Sequence, residues 1–380
     1  MHGLVAVAGV AVIFVILLDA FETVVLPRRI KRQYRITAFF YRGTWKQWLR
    51  VARLVHNSVH RESFLGYYGP LSLILLLGCW AAGLIFGFAC VQYGVGEHVQ
   101  LGNEPITFGR LIYHSGQTFF TLGYGDITPN SPISRALAVT EAGTGFGFLA
   151  LVIGYLPVVY SAFSSREVEI SLLDARAGSP PTASEFLGRL GCCHDPDVLD
   201  NIFRDWERWC ADLLASHISY PVLLYFRSQH SNQSWLSALT VMLDVTSLVI
   251  TGVDGAYGEQ AKLTFSMARH VSVDLAQVVR AQYDPHDPDR LDSDRLLELQ
   301  EQLARNGVRL TSGTNTQAKL GELRLQYEPY VAALSRRLQL TLPRWIEAQP
   351  KKDNWQTGPW DRAIQARALE RPGHPVEEHF

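Results

Sequence analysis

The stretch Thr121-Leu122-Gly123-Tyr124-Gly125-Asp126 lies between two long apolar runs, residues 69–93 and 133–163, and directly follows a shorter one, residues 106–120. The long runs suffice to cross the roughly 30 Å of hydrocarbon in a bilayer, and the short one does not. The short run therefore reads as a re-entrant helix. Glu104 and Pro105 suit its first turn, where a carboxylate faces the positive end of the helix dipole and a missing N–H costs nothing. The stretch after it is non-helical backbone at membrane depth. Such backbone is tolerated only where it lines a water-filled path.

The residue types say what that path can hold. A potassium ion gives up its water only where rings of oxygens replace it, and consecutive carbonyls from four chains supply such rings. A ribbon with every carbonyl turned inward alternates left- and right-handed backbone. Glycine suits Gly123 and Gly125 because a Cβ is disfavoured there. Potassium would then lie against Thr121, Leu122, Gly123, Tyr124 and Gly125, with the Thr121 hydroxyl adding to the innermost ring. Tyr124 is expected to point away from the path and brace the ribbon from behind.

With Thr118, Thr121, Gly123, Tyr124 and Gly125 in place, the sequence resembles the tetrameric P-loop potassium channels and their pattern T-x-x-T-x-G-Y-G. The resemblance covers about residues 66–164, the two-span pore module. It implies a potassium-selective subunit, a homotetramer with fourfold symmetry, and Asp126 supporting the filter from its outer end. Leu122 stands where valine is commonest in that family. Tyr113 and His114 replace a pair of bracing tryptophans, and Gln117 replaces a glutamate that shares a proton with the filter aspartate. A neutral amide donates to Asp126 without titrating, so weak acid-linked inactivation is expected. His114 reads either as a titrating group or as a packed neutral ring.

The last long run, EAGTGFGFLALVIGYLP, carries Gly143, Gly145, Gly147, Gly154 and Pro157. Glycines in a membrane helix commonly mark close packing. The resemblance makes Gly145 the matching position for the hinge of the inner helix, and Pro157 removes a helix hydrogen bond near the cytoplasmic end. Glu141 is a carboxylate within a span. It is expected to bond the neighbouring pore helix rather than face ions.

Towards the amino terminus, residues 3–26 form a further span with no basic leader or small-residue cleavage site, so a removed signal peptide is not expected. Asp19 and Glu22 fall one turn apart near its end. They read as headgroup-level partners of Arg28, Arg29, Lys31, Arg32 and Arg35, or as contacts to the pore helices. The basic cluster sets residues 28–35 on the cytoplasmic side of a cell membrane and the amino terminus outside. Residues 36–65 mix aromatics with arginines and read as an interfacial amphipathic helix against lipid.

The expected fold class is all-α. Residues 1–27 form an extra transmembrane helix, 28–65 an interfacial segment, 66–164 the pore module, 165–345 a helical cytoplasmic domain and 346–380 a tail that reads as partly disordered. Helical periodicity marks 197–216, 234–251, 259–281, 292–306 and 316–340. A net charge of −1 gives no reason to expect nucleic acid, and the five cysteines show no disulfide framework. Cys192-Cys193-His194 lacks zinc spacing, and Asp284, Asp287, Asp289, Asp292 and Asp294 fail as a calcium loop because Asp292 occupies the glycine position. The acidic stretch reads as a solvated loop capping the next helix. No catalytic constellation is visible, so no enzyme activity is expected, nor any cofactor beyond permeant K+. No nucleotide-binding fingerprint or strand-rich cyclic-nucleotide pattern appears, which leaves an unknown cytoplasmic ligand open. A poorly selective cation pore and a signalling or scaffold protein with a non-conducting pore are the alternatives.

Overall fold

The computed structural model describes residues 2–26, 35–95, 99–100, 107–190, 196–230, 232–253, 258–311, 313–346, 353, 358 and 360. Its elements are almost all helical, as the apolar periodicities require. The chain divides into two compact units, residues 1–165 with 214–227, and residues 166–213 with 228–380.

The first unit is built from α1 (His2–Ala20), which ends in a π-helical turn (Phe21–Val25), α2 (Ile36–Ala52), α3 (Ser58–Gly66), α4 (Tyr68–Gly94), α5 (Phe108–Phe119) and most of α6 (Pro132–Ala177). Helices α1, α4 and α6 are apolar and long enough to span a membrane. The extra helix α1 packs along α4 at backbone contact. A Cβ placed on Gly9 would sit 2.6 Å from the Gly87 carbonyl oxygen, so the glycine is what lets the two helices approach.

Residues 36–65 are not one amphipathic helix. The chain breaks before Asn57, whose side chain accepts from the Val59 and His60 amides and starts α3. Asp19 lies 3.9 Å from Arg35, one of the expected cations, and also makes the alternative contact, to a helix of the pore module. It is buried and accepts from the Thr37 amide at 3.1 Å, the Thr37 hydroxyl at 2.6 Å and the Trp80 indole at 3.1 Å. The carboxylate thus faces the positive end of α2, a stabilising placement. Arg35 lies 3.5 Å from Glu22, while Arg28, Arg29, Lys31 and Arg32 lie outside the described residues.

Beyond the first unit, α7 (Ala183–Leu190) precedes α8 (Pro196–Ser219), α9 (Trp235–Gly252), α10 (Gly258–Val278), α11 (Ser293–Arg305), α12 (Thr314–Leu325) and α13 (Glu328–Leu338), and α8 to α13 fall on the expected periodicities. The expected helix at 316–340 is interrupted at Gln326 and Tyr327. Helix α9 is long and apolar enough to cross a membrane, yet Trp235 to Val249 are all buried among the helices of the second unit. Its Asp244 is fully buried, 2.6 Å from Arg290 and 2.6 Å from the Tyr327 hydroxyl.

The acidic loop is largely exposed and caps α11, as expected, and it also carries ion pairs that the sequence did not mark. Asp292 is the cap, while Asp289 pairs with Arg324 and Asp287 with Arg336. No cluster of three potential metal ligands occurs among the described residues, and Cys192, Cys193 and His194 lie outside them. Trp345, the last residue of the expected domain, is buried and its carbonyl accepts from the Ser184 amide at 3.1 Å. In the tail, Asp353 is anchored as well: its carboxylate takes the Ser179 amide at 3.1 Å and Arg189 at 2.9 Å.

Candidate ion pathway

The pore helix α5 runs from Phe108 to Phe119, inside the expected 106–120; Glu104 and Pro105 lie outside the described residues. Its end is closed by two backbone bonds, from Thr121 N to Thr118 O at 3.0 Å and from Leu122 N to Gln117 O at 2.8 Å. This 5→2 and 6→1 pairing is a Schellman closure, and it puts Thr121 at the position that takes left-handed backbone. Thr121 adopts it, with φ of 56°, although a residue with a Cβ pays about 1 kcal/mol or more to do so. Left-handed backbone recurs at Gly123 (61°) and Gly125 (77°) and is absent from Leu122 and Tyr124.

Every second residue from 121 to 125 is therefore left-handed. That alternation is what a ribbon needs to aim successive carbonyls the same way, and it falls on the residues expected to bind the ion. All six residues from Thr121 to Asp126 are exposed in the single chain, Tyr124 at 68%.

Behind the ribbon, the Gln117 amide donates to Asp126 Oδ1 at 3.2 Å, and the Ile127 amide donates to the same oxygen at 3.1 Å. The Tyr113 hydroxyl also acts on that carboxylate. His114 is buried at the foot of the same helix face, with Ser115 and Gln117. Below them, Ile127 joins Ala89 and Leu111 in a small apolar core against Phe108, which ties the ribbon's exit to α4 and α5. The antiparallel pair β1 (Val99–Gln100) and β2 (Thr128–Pro129) ties the segment after α4 to the chain after the ribbon, a two-residue sheet that the sequence did not reveal.

Glu141 of α6 is fully buried. It accepts from Gln92 of α4 at 3.1 Å and from the hydroxyl of Ser115 in the pore helix, as expected for a structural carboxylate. The role of Ser115 and Gln92 was not legible beforehand, because nothing in a lone serine or glutamine marks its partner. Gly145 presses on the pore helix: a Cβ there would overlap the Phe119 carbonyl, whereas Gly143, Gly147 and Gly154 face open space in the single chain. Pro157 does not end α6, which continues to Ala177.

Two spans enclosing a short helix and a ribbon of alternating handedness define a pore module of the ion-channel type. Residues 74–161 match the model of the family Ion_trans_2, described as "Ion channel", and this segment is an ion-channel pore module of that family in a multi-pass membrane protein. The chain is also similar to the uncharacterized membrane protein YdjJ of Bacillus subtilis, with 24% identity over 234 residues, covering 59% of this chain and 67% of the relative. No solved structure matches.

Proposed function

We propose that the chain is one subunit of a potassium-selective channel, four copies of which surround a central pore. The observation that carries this reading is the alternation of left-handed backbone at Thr121, Gly123 and Gly125 within the sequence T-L-G-Y-G. One subunit supplies one ribbon of carbonyls, and a closed ring around an ion needs several. The exposure of the whole ribbon, Tyr124 included, in the single chain supports its completion by neighbouring copies.

In this reading K+ is the permeant ion and no other cofactor or catalytic activity is involved. Gly145 and Pro157 lie on the inner helix that opens and closes, Thr118, Gln117, His114 and Tyr113 support the filter, and the helices after residue 165 form a regulatory domain on the cytoplasmic side. The amino terminus lies outside, in keeping with the cationic run at 28–35.

The test is cation flux through the purified protein in liposomes. Potassium flux blocked by barium, a reversal potential that follows the potassium gradient in mixed potassium and sodium, and loss of flux in Gly123→Ala are expected. A reversal potential indifferent to exchanging potassium for sodium would replace this reading with a poorly selective pore. No flux at all would leave a scaffold role.

A further inference from the structure

Residues 214–227 come from early in the second half of the chain but group with the membrane unit, while their flanks on both sides, residues 166–213 and from 228, group with the other unit. The chain thus enters the membrane unit, makes the short 3-10 turn Pro221–Tyr225, and leaves again. Leu223 and Leu224 of this turn are essentially fully buried, so the excursion is packed rather than draped. Nothing in the ion pathway itself needs it.

Its contacts fall into two sets. One set grips the helices on the outer side of the pore module. Tyr225 packs against Trp45 of α2 at 5.1 Å between ring centroids and against Tyr68 of α4 at 5.2 Å. Phe226 occupies the space over Gly69, where a Cβ would come within 2.6 Å of its ring. Arg227 pairs with Glu62 of α3 at 3.3 Å, with its side chain only 11% exposed. The other set grips the inner helix α6: Tyr220 meets Tyr155 at 5.7 Å, and Phe226 meets Phe163 at 5.6 Å. Tyr155 and Phe163 bracket Pro157, the residue that removes a hydrogen bond from that helix.

A segment held covalently by one unit at both ends, and holding both the outer and inner helices of the other, transmits displacement to the angle between those helices. We propose that residues 220–227 are the coupling element through which the second unit biases the opening of the inner helix. This proposal rests on the channel reading above and adds where regulation enters the pore. Coupling of this kind is an energetic bias on a two-state helix and leaves the open pathway unaltered.

The test uses the Arg227–Glu62 pair in the full-length protein, recorded in planar bilayers. Arg227→Glu and Glu62→Arg are each expected to shift open probability by at least about fivefold, the lower end of typical coupling energies. Unitary conductance and reversal potential should stay at the parent's values, and the double swap Glu62→Arg/Arg227→Glu should return open probability towards the parent. Where a single reversal does not assemble, Arg227→Gln and Phe226→Leu are read in the same way.

Unchanged open probability in assembled variants overturns the proposal, as does a change in conductance or selectivity accompanying it. A second readout separates the two levels. The rate at which a water-soluble maleimide labels Tyr160→Cys on α6, read by peptide-resolved mass spectrometry, follows the helix whether or not ions pass. A parent with no current defeats the channel reading. The coupling proposal then stands if the labelling rate shifts in the single reversals and recovers in the swap, and falls if the rate is the same in all of them.

Discussion

Gln117 and Asp126 are joined by an amide-to-carboxylate hydrogen bond of 3.2 Å, at the carboxyl end of the ribbon 121–126. The pair holds one proton-binding group rather than two. Replacing the amide by a second carboxyl at that distance creates a dyad that cannot ionise fully, and one of its protons then titrates well above the ordinary carboxylate range. Gln117→Glu is therefore expected to introduce an acid-dependent change in current decay between pH 4 and pH 8 that the parent lacks. Identical pH profiles in the two proteins would show that this bond does not govern the filter's response to protons.

Gly145 supplies a second test, because its backbone meets the Phe119 carbonyl with no room for a methyl group. Gly145→Ala should cost about 1–3 kcal/mol through displacement of the pore-helix end, partly offset by roughly 1 kcal/mol of gained helix propensity. Gly147→Ala, where the single chain leaves space, keeps only the propensity gain. Thermal unfolding in detergent should rank Gly147→Ala above the parent and Gly145→Ala below it. Equal melting temperatures for the two variants would refute the packing argument and favour a purely conformational role for Gly145.

Glu141 tests how the pore helix is held. Its carboxylate serves both Gln92 and Ser115, and Ser115 Oγ also lies 2.8 Å from the Ile85 carbonyl. Glu141→Gln keeps an acceptor and should be mild. Glu141→Leu strands the Gln92 amide in a buried site, at a cost of about 1–3 kcal/mol. Yield and melting temperature of the assembled protein should fall in that order, with rectification unchanged in whatever assembles. Altered rectification with normal stability would mean that the carboxylate acts on the ions.

The alternating ribbon, the long apolar helices and most of the other helices were legible because each leaves a local mark. Left-handed backbone calls for glycine at 123 and 125, spans need apolar length, and α8, α9 and α11 stop at Pro221, Gly252 and Asn306-Gly307. What escaped depends on partners distant in sequence. Asp19 left two readings open because a buried carboxylate and an exposed one read alike until Thr37 and Trp80 close over it. The turn Pro221–Tyr225 fell inside the expected domain 165–345, since an apolar pentapeptide does not say which unit buries it. Thr121 adopts left-handed backbone without glycine, and only the Schellman closure of α5 explains it. The acidic loop concealed its arginines for the same reason: Arg324 and Arg336 lie well downstream of Asp289 and Asp287.

Asp244 gives the prediction with a pH sign. Burial raises its carboxyl above the ordinary value, against the opposing pull of Arg290 and its hydrogen bonds. A raised folded-state pKa means that the folded protein holds this proton more tightly than the unfolded chain. Its contribution to stability is therefore best below the ordinary carboxylate pKa and worsens as pH rises through the folded value. Arg290 limits that penalty at neutral pH by keeping the carboxylate paired at 2.6 Å. Arg290→Met removes the partner while filling similar space, leaves a buried unpaired charge, and should cost about 3–5 kcal/mol at pH 7.5. The cost should shrink as the pH falls towards 5, because the isolated carboxyl then takes up a proton and becomes neutral. Adding Asp244→Asn to Arg290→Met should recover part of the loss at pH 7.5 and remove most of its pH dependence. Denaturation of the full-length protein across this range checks all three variants, and a loss in Arg290→Met that is constant from pH 5 to 7.5 would rule out an ionised Asp244 as its cause.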